Sequence, residues 1–143
     1  VHRDGKSHSG CIIMLGNGPV HVSSRRQRIV TKSSCEAEVV AISDEASTVL
    51  WSRDFLISQG YTLPAVPIFK DNQATIAVLE RGAGAGSTRH INIRYFWLSD
   101  RVKSGELSIR YVPTQDMLAD MFTKPLQGEL FRKLRRRLLN WHC

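Results

Sequence analysis

No apolar run exceeds the five residues of "CIIML", Cys11 to Leu15, far short of the roughly 20 that span a bilayer. Nor does any stretch join a charged start to an apolar core as a signal peptide does, so a soluble, intracellular protein is expected. Cysteine is scarce. Cys11, Cys35 and Cys143 are odd in number, far apart and without a CxxC pair, which argues against a secreted disulfide framework and a cysteine zinc site and for reduced thiols. The five histidines, His2, His8, His21, His90 and His142, never fall into HxxxH or a similar spacing, so no histidine metal site is legible. Phosphate cradles are missing too: "GAGAGST" fits neither GxGxxG nor GxxxxGK[ST] and reads as a flexible loop. There is no internal repeat and no low-complexity block. An initiating methionine is also lacking, since the chain opens on Val1, which reads as a piece of something longer.

What is present suits one α/β domain. With 143 residues, 42% of them apolar, the chain can enclose one core and not two comfortable ones. Twenty Lys and Arg against thirteen Asp and Glu leave a formal charge of +7, which favours polyanionic partners, nucleic acid or an anionic membrane face, without choosing between them. "CIIML" and "VHVSS" flank "GNGP" and read as the strands of a hairpin, because Gly and Asn tolerate the positive φ of its turn. A long helix is predicted from Ser33 or Ser34 to about Gly60: Val39, Ile42, Ala46, Val49, Leu50 and Leu56 recur at three- to four-residue spacing and Gly60 supplies a stop. "PAVPIFKDN" reads as a buried strand with Pro64 and Pro67 near its start, followed by a small helix over "QATIAVLER". A further helix fits "HINIRYFWLSDRVKS", with Ile91, Tyr95, Leu98 and Val102 on one face and Gly105 as its cap. "ELSIRYV" alternates as a half-buried strand up to Pro113. Thr114 is predicted to cap a short helix through "QDMLADMF", and a last basic helix runs through "GELFRKLRRRLL". Residues 1–126 are thus expected to form the domain, and 127–143 a basic helical tail.

Candidate chemistry rests on carboxylates. Ser33 and Glu36 form a capping box at the start of the long helix, which accounts for Glu36. Glu38 lies roughly 160° further round the helix, on the bearing of Ile42, Val49 and Leu56. Both glutamates cannot serve one site. A carboxylate at the rim of a core face costs desolvation unless it finds a cation or hydrogen bonds, so Glu38 is either an amphipathic rim residue or a ligand. Asp71 ends a strand before Asn72 and is either the cap of the next helix or part of a site. Asp120 falls away from Leu118, Met121 and Phe122 on a helical wheel and reads as simply exposed. His90, beside Arg89 at a helix start, is the one histidine worth watching. In "FRKLRRRLL" Leu134 and Leu138 share a side with Leu130, while Arg132, Lys133, Arg135, Arg136 and Arg137 surround the rest: a solvated face, or one that meets phosphates.

The ordered set "KSSCEAEVVAIS", "IFKDNQATIAV", "STRHINIRYFWLSDRVKSGELSIRYVPTQDMLADMFTKPL" and "FRKLRRRL" resembles the ribonuclease H segment of copia-type LTR retrotransposon Pol polyproteins, over nearly the whole chain. The opening "KSHSGCIIMLGNGPVHVSSRRQRIVTKSS" also resembles the stretch before that family's first helix. The resemblance implies a ribonuclease H-like α/β fold, a mixed sheet of order 3-2-1-4-5 flanked by helices. It matches Glu38, Asp71 and Asp120 to catalytic acids that hold two Mg²⁺ ions, with Mn²⁺ an alternative. Such a metal pair, about 3.5–4 Å apart, activates water on one side and neutralises the departing oxygen on the other, and hard oxygen ligands suit it. The implied reaction is cleavage of the RNA strand of an RNA/DNA hybrid during reverse transcription, leaving 5′ phosphate and 3′ hydroxyl, with RNA told from DNA by its 2′ hydroxyls. Asn72, Arg89, His90, Arg132, Lys133, Arg135 and Arg136 are the candidate nucleic-acid contacts. The implied partners are the hybrid and the reverse transcriptase and integrase segments of the same polyprotein, in a cytoplasmic virus-like particle or the nucleus, with no membrane.

The chain departs from the family pattern at Cys35, where a small hydroxyl residue is usual, at Val39, where an aromatic is common, and at Phe96, a usual histidine position. The family's first catalytic aspartate lies in a strand before "KSHSG", and Asp4 aligns with a loop acid instead. That first strand is central in the implied sheet, so without it strands two and four are left with unpaired ladder groups. The 143-residue chain is therefore expected to be inactive alone. Two other functions are compatible with these residues: a noncatalytic nucleic-acid-binding remnant, and a module that docks on a neighbouring polyprotein segment through its basic helix.

Overall fold

The structure, a computed structural model, describes residues 5–81 and 89–141. The segment 82–88, expected as a loop, and Asp4 lie outside the described residues. The chain divides into two compact units, one formed by Val1–Thr31 with Val112–Cys143 and the other by Lys32–Tyr111. We call them the hairpin unit and the helical unit. Their described strands make two two-stranded sheets, one in each, so the chain is a mixed α/β protein.

In the helical unit, α1 (Ser34–Ser58) begins where Ser33 Oγ accepts the Glu36 N–H at 3.1 Å. Glu36 reaches back past the cap, its Oε2 accepting from the Lys32 N–H at 2.7 Å. The helix ends as its sequence predicts. Gly60, at φ 97°, donates to Ile57 O, and Tyr61 donates to Leu56 O, the paired bonds that satisfy a helix's last carbonyls when the next residue can turn left-handed. Val39, Val40, Ile42, Ala46 and Val49 of α1 are buried, with Leu79 of α2 (Gln73–Arg81) and Ile91, Tyr95 and Leu98 of α3 (Arg89–Lys103). Of the positions that the three- to four-residue spacing selects, Val39, Ile42, Ala46, Val49, Ile91, Tyr95 and Leu98 are among these, while Leu50, Leu56 and Val102 are half-buried. An Arg94–Asp44 ion pair ties α3 to α1.

The sheet of this unit joins β3 (Val66–Lys70) to β4 (Leu107–Tyr111) in parallel, from Val66 opposite Leu107 to Lys70 opposite Tyr111. Val66 donates to Glu106 O at 3.0 Å, so the alternation of the strand turns Pro67 to the edge away from β4, where its missing N–H breaks no bond of this ladder. Val66, Ile68 and Lys70 are half-buried, while Pro67 and Phe69 are exposed. Lys70 is therefore a lysine on the inward-facing set of a strand.

In the hairpin unit, β1 (His8–Leu15) and β2 (Gly18–Arg26) pair antiparallel and are longer than the sequence patterns suggest. Their loop shrinks to Gly16 and Asn17, with Gly16 at φ 60°, as the first residue of a tight two-residue hairpin loop requires. The register shifts between Ile13 and Met14, a bulge that bends the ribbon. The segment expected as one short helix capped by Thr114 is instead two 3₁₀ turns, Thr114–Asp116 and Leu118–Phe122. Pro113 precedes the first and Met117 separates them, and neither turn has a side-chain cap. Tight turns of this kind rarely run beyond three or four residues. The last helix, α4 (Gly128–Leu138), packs on the second turn with Leu134 and Leu138 buried.

Strand β1 meets that turn at Gly10. A β-carbon there would stand 2.8 Å from Thr123 Cγ2 and 2.9 Å from both Ala119 O and Phe122 Cβ, and Ser24 on the neighbouring strand donates to Phe122 O at 2.7 Å. Gly10→Ala is expected to push the hairpin off the turn and destabilise the protein by about 1–3 kcal/mol, the usual cost of overpacking. A melting temperature equal to that of the parent chain would show that the close approach is dispensable.

Candidate functional site

A half-buried glutamate cannot keep its charge without compensation, and the helical unit gives Glu38 two partners. Asn72 Nδ2 donates to Glu38 Oε1 at 3.0 Å, and Lys70 Nζ stands 3.7 Å from Glu38 Oε2. The side chains of Lys70 and Glu38 are 19% and 24% exposed, so solvent screening of the pair is incomplete. Glu38 Oε2 itself is fully buried and accepts no hydrogen bond.

Asn72 is also the cap of α2. Its Oδ1 accepts from the N–H groups of Ala74 and Thr75 at 3.0 and 3.3 Å, the role expected of a residue just before a helix. Both ends of its amide are therefore held by protein atoms. Asp71, placed between the end of β3 and this cap, is half-buried and is spared the capping role. One short stretch, Lys70–Asn72, thus supplies the cation and the donor at Glu38, with Asp71 between them in the sequence. Of these, Lys70 is the residue that the sequence motifs do not single out, although its inward place in the strand alternation is a readable sign.

Asp120 belongs to the hairpin unit, and here the helical wheel misleads. The residue is 8% exposed, not simply exposed. In a 3₁₀ turn successive residues advance about 120° rather than 100°, so the α-helical wheel does not give the side that Asp120 faces. Its Oδ2 accepts from Lys124 Nζ at 2.9 Å. Within neither unit does a group of three or more His, Cys, Asp or Glu side chains among the described residues stand together to hold a metal ion. Glu38 and Asp71 nevertheless offer the hard oxygens that a divalent cation prefers, and the unbonded Glu38 Oε2 is a fitting ligand atom, facing an ammonium now.

The basic residues expected to meet phosphate divide by what holds them. On α4, Arg132 pairs with Glu129. Lys133 Nζ and Arg137 Nη1 reach Asp116 Oδ1 at 2.9 and 3.1 Å. The Arg135 guanidinium lies 5.8 Å from the Phe131 ring centre and 6.0 Å from that of Trp141, within cation–π range. Arg136 is exposed, as are Arg89 and His90 at the start of α3. The hydrogen bond from Lys133, aided by the charges of Lys133 and Arg137, holds the Asp116 carboxyl below its ordinary value of 3.8. No sequence spacing announces this clasp, since Asp116 and Lys133 lie on separate elements.

No protein-family model matches the chain, and no solved structure matches it. It is 32% identical over 133 residues to the retrovirus-related Pol polyprotein from transposon RE2 of Arabidopsis thaliana, covering 92% of this chain and 9% of that protein. To the corresponding polyprotein from transposon RE1 of the same plant it is 34% identical over 127 residues, 88% of this chain and 9% of the relative. With the polyprotein from transposon TNT 1-94 of Nicotiana tabacum it shares 27% identity over 137 residues, 96% of this chain and 10% of the relative. The chain therefore spans about a tenth of the length of the curated relatives it matches.

Two outcomes test the geometry. Asn72→Ala removes a helix cap, worth about 1 kcal/mol, and strands Glu38 Oε1, worth about 1–3 kcal/mol. Asn72→Ser keeps a capping oxygen without the reach to Glu38, so urea unfolding is expected to show it as the milder variant, and equal losses would dismiss the cap. For Asp116 the depressed value means that its contribution is present above the unfolded-state value and disappears as pH falls through the folded one. The difference in melting temperature between the parent and Asp116→Asn is expected to be full at about pH 5 and to close below pH 3.8. A gap independent of pH would remove the clasp from the account.

Proposed function

The homologues of this chain are retrotransposon Pol polyproteins, and on that premise we propose that it is the ribonuclease H segment of a retroelement polyprotein, hydrolysing the RNA strand of RNA/DNA hybrids. The observation that carries the reading is the buried Glu38 Oε2, which accepts no hydrogen bond while Asn72, just beyond the end of β3, holds the other oxygen of the same carboxylate. The strand pairs are in keeping with a mixed sheet: β1 pairs with β2 antiparallel and β3 with β4 in parallel.

The reading assigns Glu38, Asp71 and Asp120 as the carboxylates that hold two Mg²⁺ ions, or Mn²⁺. When bound, such ions activate a water and stabilise the leaving oxygen of the phosphodiester. The chain's own residues do the rest. Asn72 fixes the rotamer of Glu38 by hydrogen-bonding one of its oxygens, leaving the other for the cation. Lys70 offsets the negative charge of Glu38 from 3.7 Å. Exposed Arg89 and His90 offer donors to the nucleic-acid backbone. Other segments of the same polyprotein are the partners this reading implies.

A noncatalytic nucleic-acid-binding remnant is the second reading. It is favoured by the ammonium groups of Lys70 and Lys124, which already stand against Glu38 and Asp120. Chelation separates the two. In the polyprotein that carries this segment, Asp71→Asn is expected to lower Mg²⁺-dependent cleavage of a labelled hybrid by more than about 100-fold, since even an outer-shell partner of a metal ligand is worth roughly 10- to 100-fold. Hybrid affinity should change little, and Glu36→Gln should leave cleavage intact. Binding without cleavage, indifferent to both EDTA and Glu38→Gln, would leave the remnant standing and discard the nuclease.

A further inference from the structure

The helical unit carries nine Lys and Arg against nine Asp and Glu, which leaves the surplus of +7 to the hairpin unit. Within the helical unit the charge on Glu38 is therefore answered by near partners and not by a net excess. The ion pairs that tie α3 to what surrounds it are built on arginine: Arg94 bonds Asp44 of α1, and Arg101 donates to Glu106 Oε2 at 2.9 Å. Each is a direct hydrogen bond from a guanidinium, whose flat fork holds a carboxylate in place. Glu38 is served differently. Its Oε1 is fastened by Asn72, itself fastened to the start of α2, while Oε2 is buried, accepts no hydrogen bond and has the Lys70 ammonium at 3.7 Å. That separation exceeds hydrogen-bond reach, so Lys70 neutralises the oxygen by charge without bonding it.

We propose that Lys70 is an internal counter-ion that serves Glu38 in place of a divalent cation, and so sets how tightly the protein takes one there. The contact leaves no hydrogen bond to break. An ammonium is a compact charge on a flexible four-carbon stem, and the Lys70 side chain is 19% exposed, so its head can turn to water while the stem stays against the protein. The charge of one carboxylate cannot neutralise an ammonium and a divalent ion together, and screening is incomplete in a half-buried place, so the two compete for Oε2. Without the lysine that buried oxygen would lack its counter-charge, which is costly. Lys70 thus stabilises the fold when a chelator is present and weakens its hold on a cation.

The inference rests on the metal reading of Glu38 above but not on catalysis, and Mn²⁺ is the probe. Binding to the full chain is followed by the electron paramagnetic resonance signal of free Mn²⁺, and stability by melting in EDTA. Lys70→Gln is expected to bind Mn²⁺ about 10- to 100-fold more tightly than the parent, the scale on which groups around a ligand act, and to melt lower in EDTA. Lys70→Arg, whose fork can bond Oε2 directly, is expected to bind Mn²⁺ more weakly than the parent and to melt no lower. Lys103→Gln, the same loss of charge at an exposed position of the same unit, is expected to change affinity by less than about twofold, since exposed charges are screened. A lysine with a merely structural role would lower stability on replacement without raising affinity. Equal affinity in Lys70→Gln and Lys103→Gln, or weaker binding in Lys70→Gln, would overturn the proposal. So would tighter binding in Lys70→Arg, an arm that remains should Lys70→Gln unfold. Binding that survives in Glu38→Gln would overturn the metal reading itself, whereas binding lost in Glu38→Gln but indifferent to Lys70 would keep that reading and remove only the counter-ion. No Mn²⁺ binding by the parent or by any Lys70 variant would dismiss both.

Discussion

The hydrogen bond from Asn72 to Glu38 joins three elements through one side chain: α1, which carries the glutamate, the end of β3, and α2, whose first N–H groups the same amide caps. A carboxylate on the inner side of a long helix is unstable unless something fixes and neutralises it. Asn72 fixes it, and Lys70 neutralises it. Because the asparagine is fully engaged, its neighbour Asp71 is left for other work. The division of labour between Lys70 and Asn72, cation and amide, is what gives Glu38 its place in the helical unit.

The hairpin unit solves a different problem, that of excess positive charge. It places its few acids where cations crowd, at Asp116 and Glu129 around α4, and stacks Arg135 near two aromatic rings. Leu134 and Leu138 supply the apolar packing that makes those pairings local and persistent.

Periodicity and punctuation made most of the fold legible. The spacing of Val39, Ile42, Ala46 and Val49 located α1, Gly60 located its end, and Gly16 with Asn17 announced the hairpin. The failures occur where a local rule has a competitor. The segment 114–122 has helical composition, but Pro113 and the break at Met117 leave too few residues for α-helical bonds, and the change of pitch reversed the expected exposure of Asp120. Asp71 and Asn72 could each have capped α2, and only the fold decided for the amide, which also had Glu38 to satisfy. Charge segregation was invisible in the total of +7 until the chain was divided into units. The clasp at Asp116 depends on a separation along the chain that no motif encodes.

The outward-turned Pro67 has one more effect. An unpaired strand edge invites a second chain to extend the ladder, the first step toward fibrous association. On the edge of β3 away from β4, where the proposed sheet order seats its first strand, the ring at Pro67 removes one donor, so a strand that docks there does so with one rung of the ladder missing.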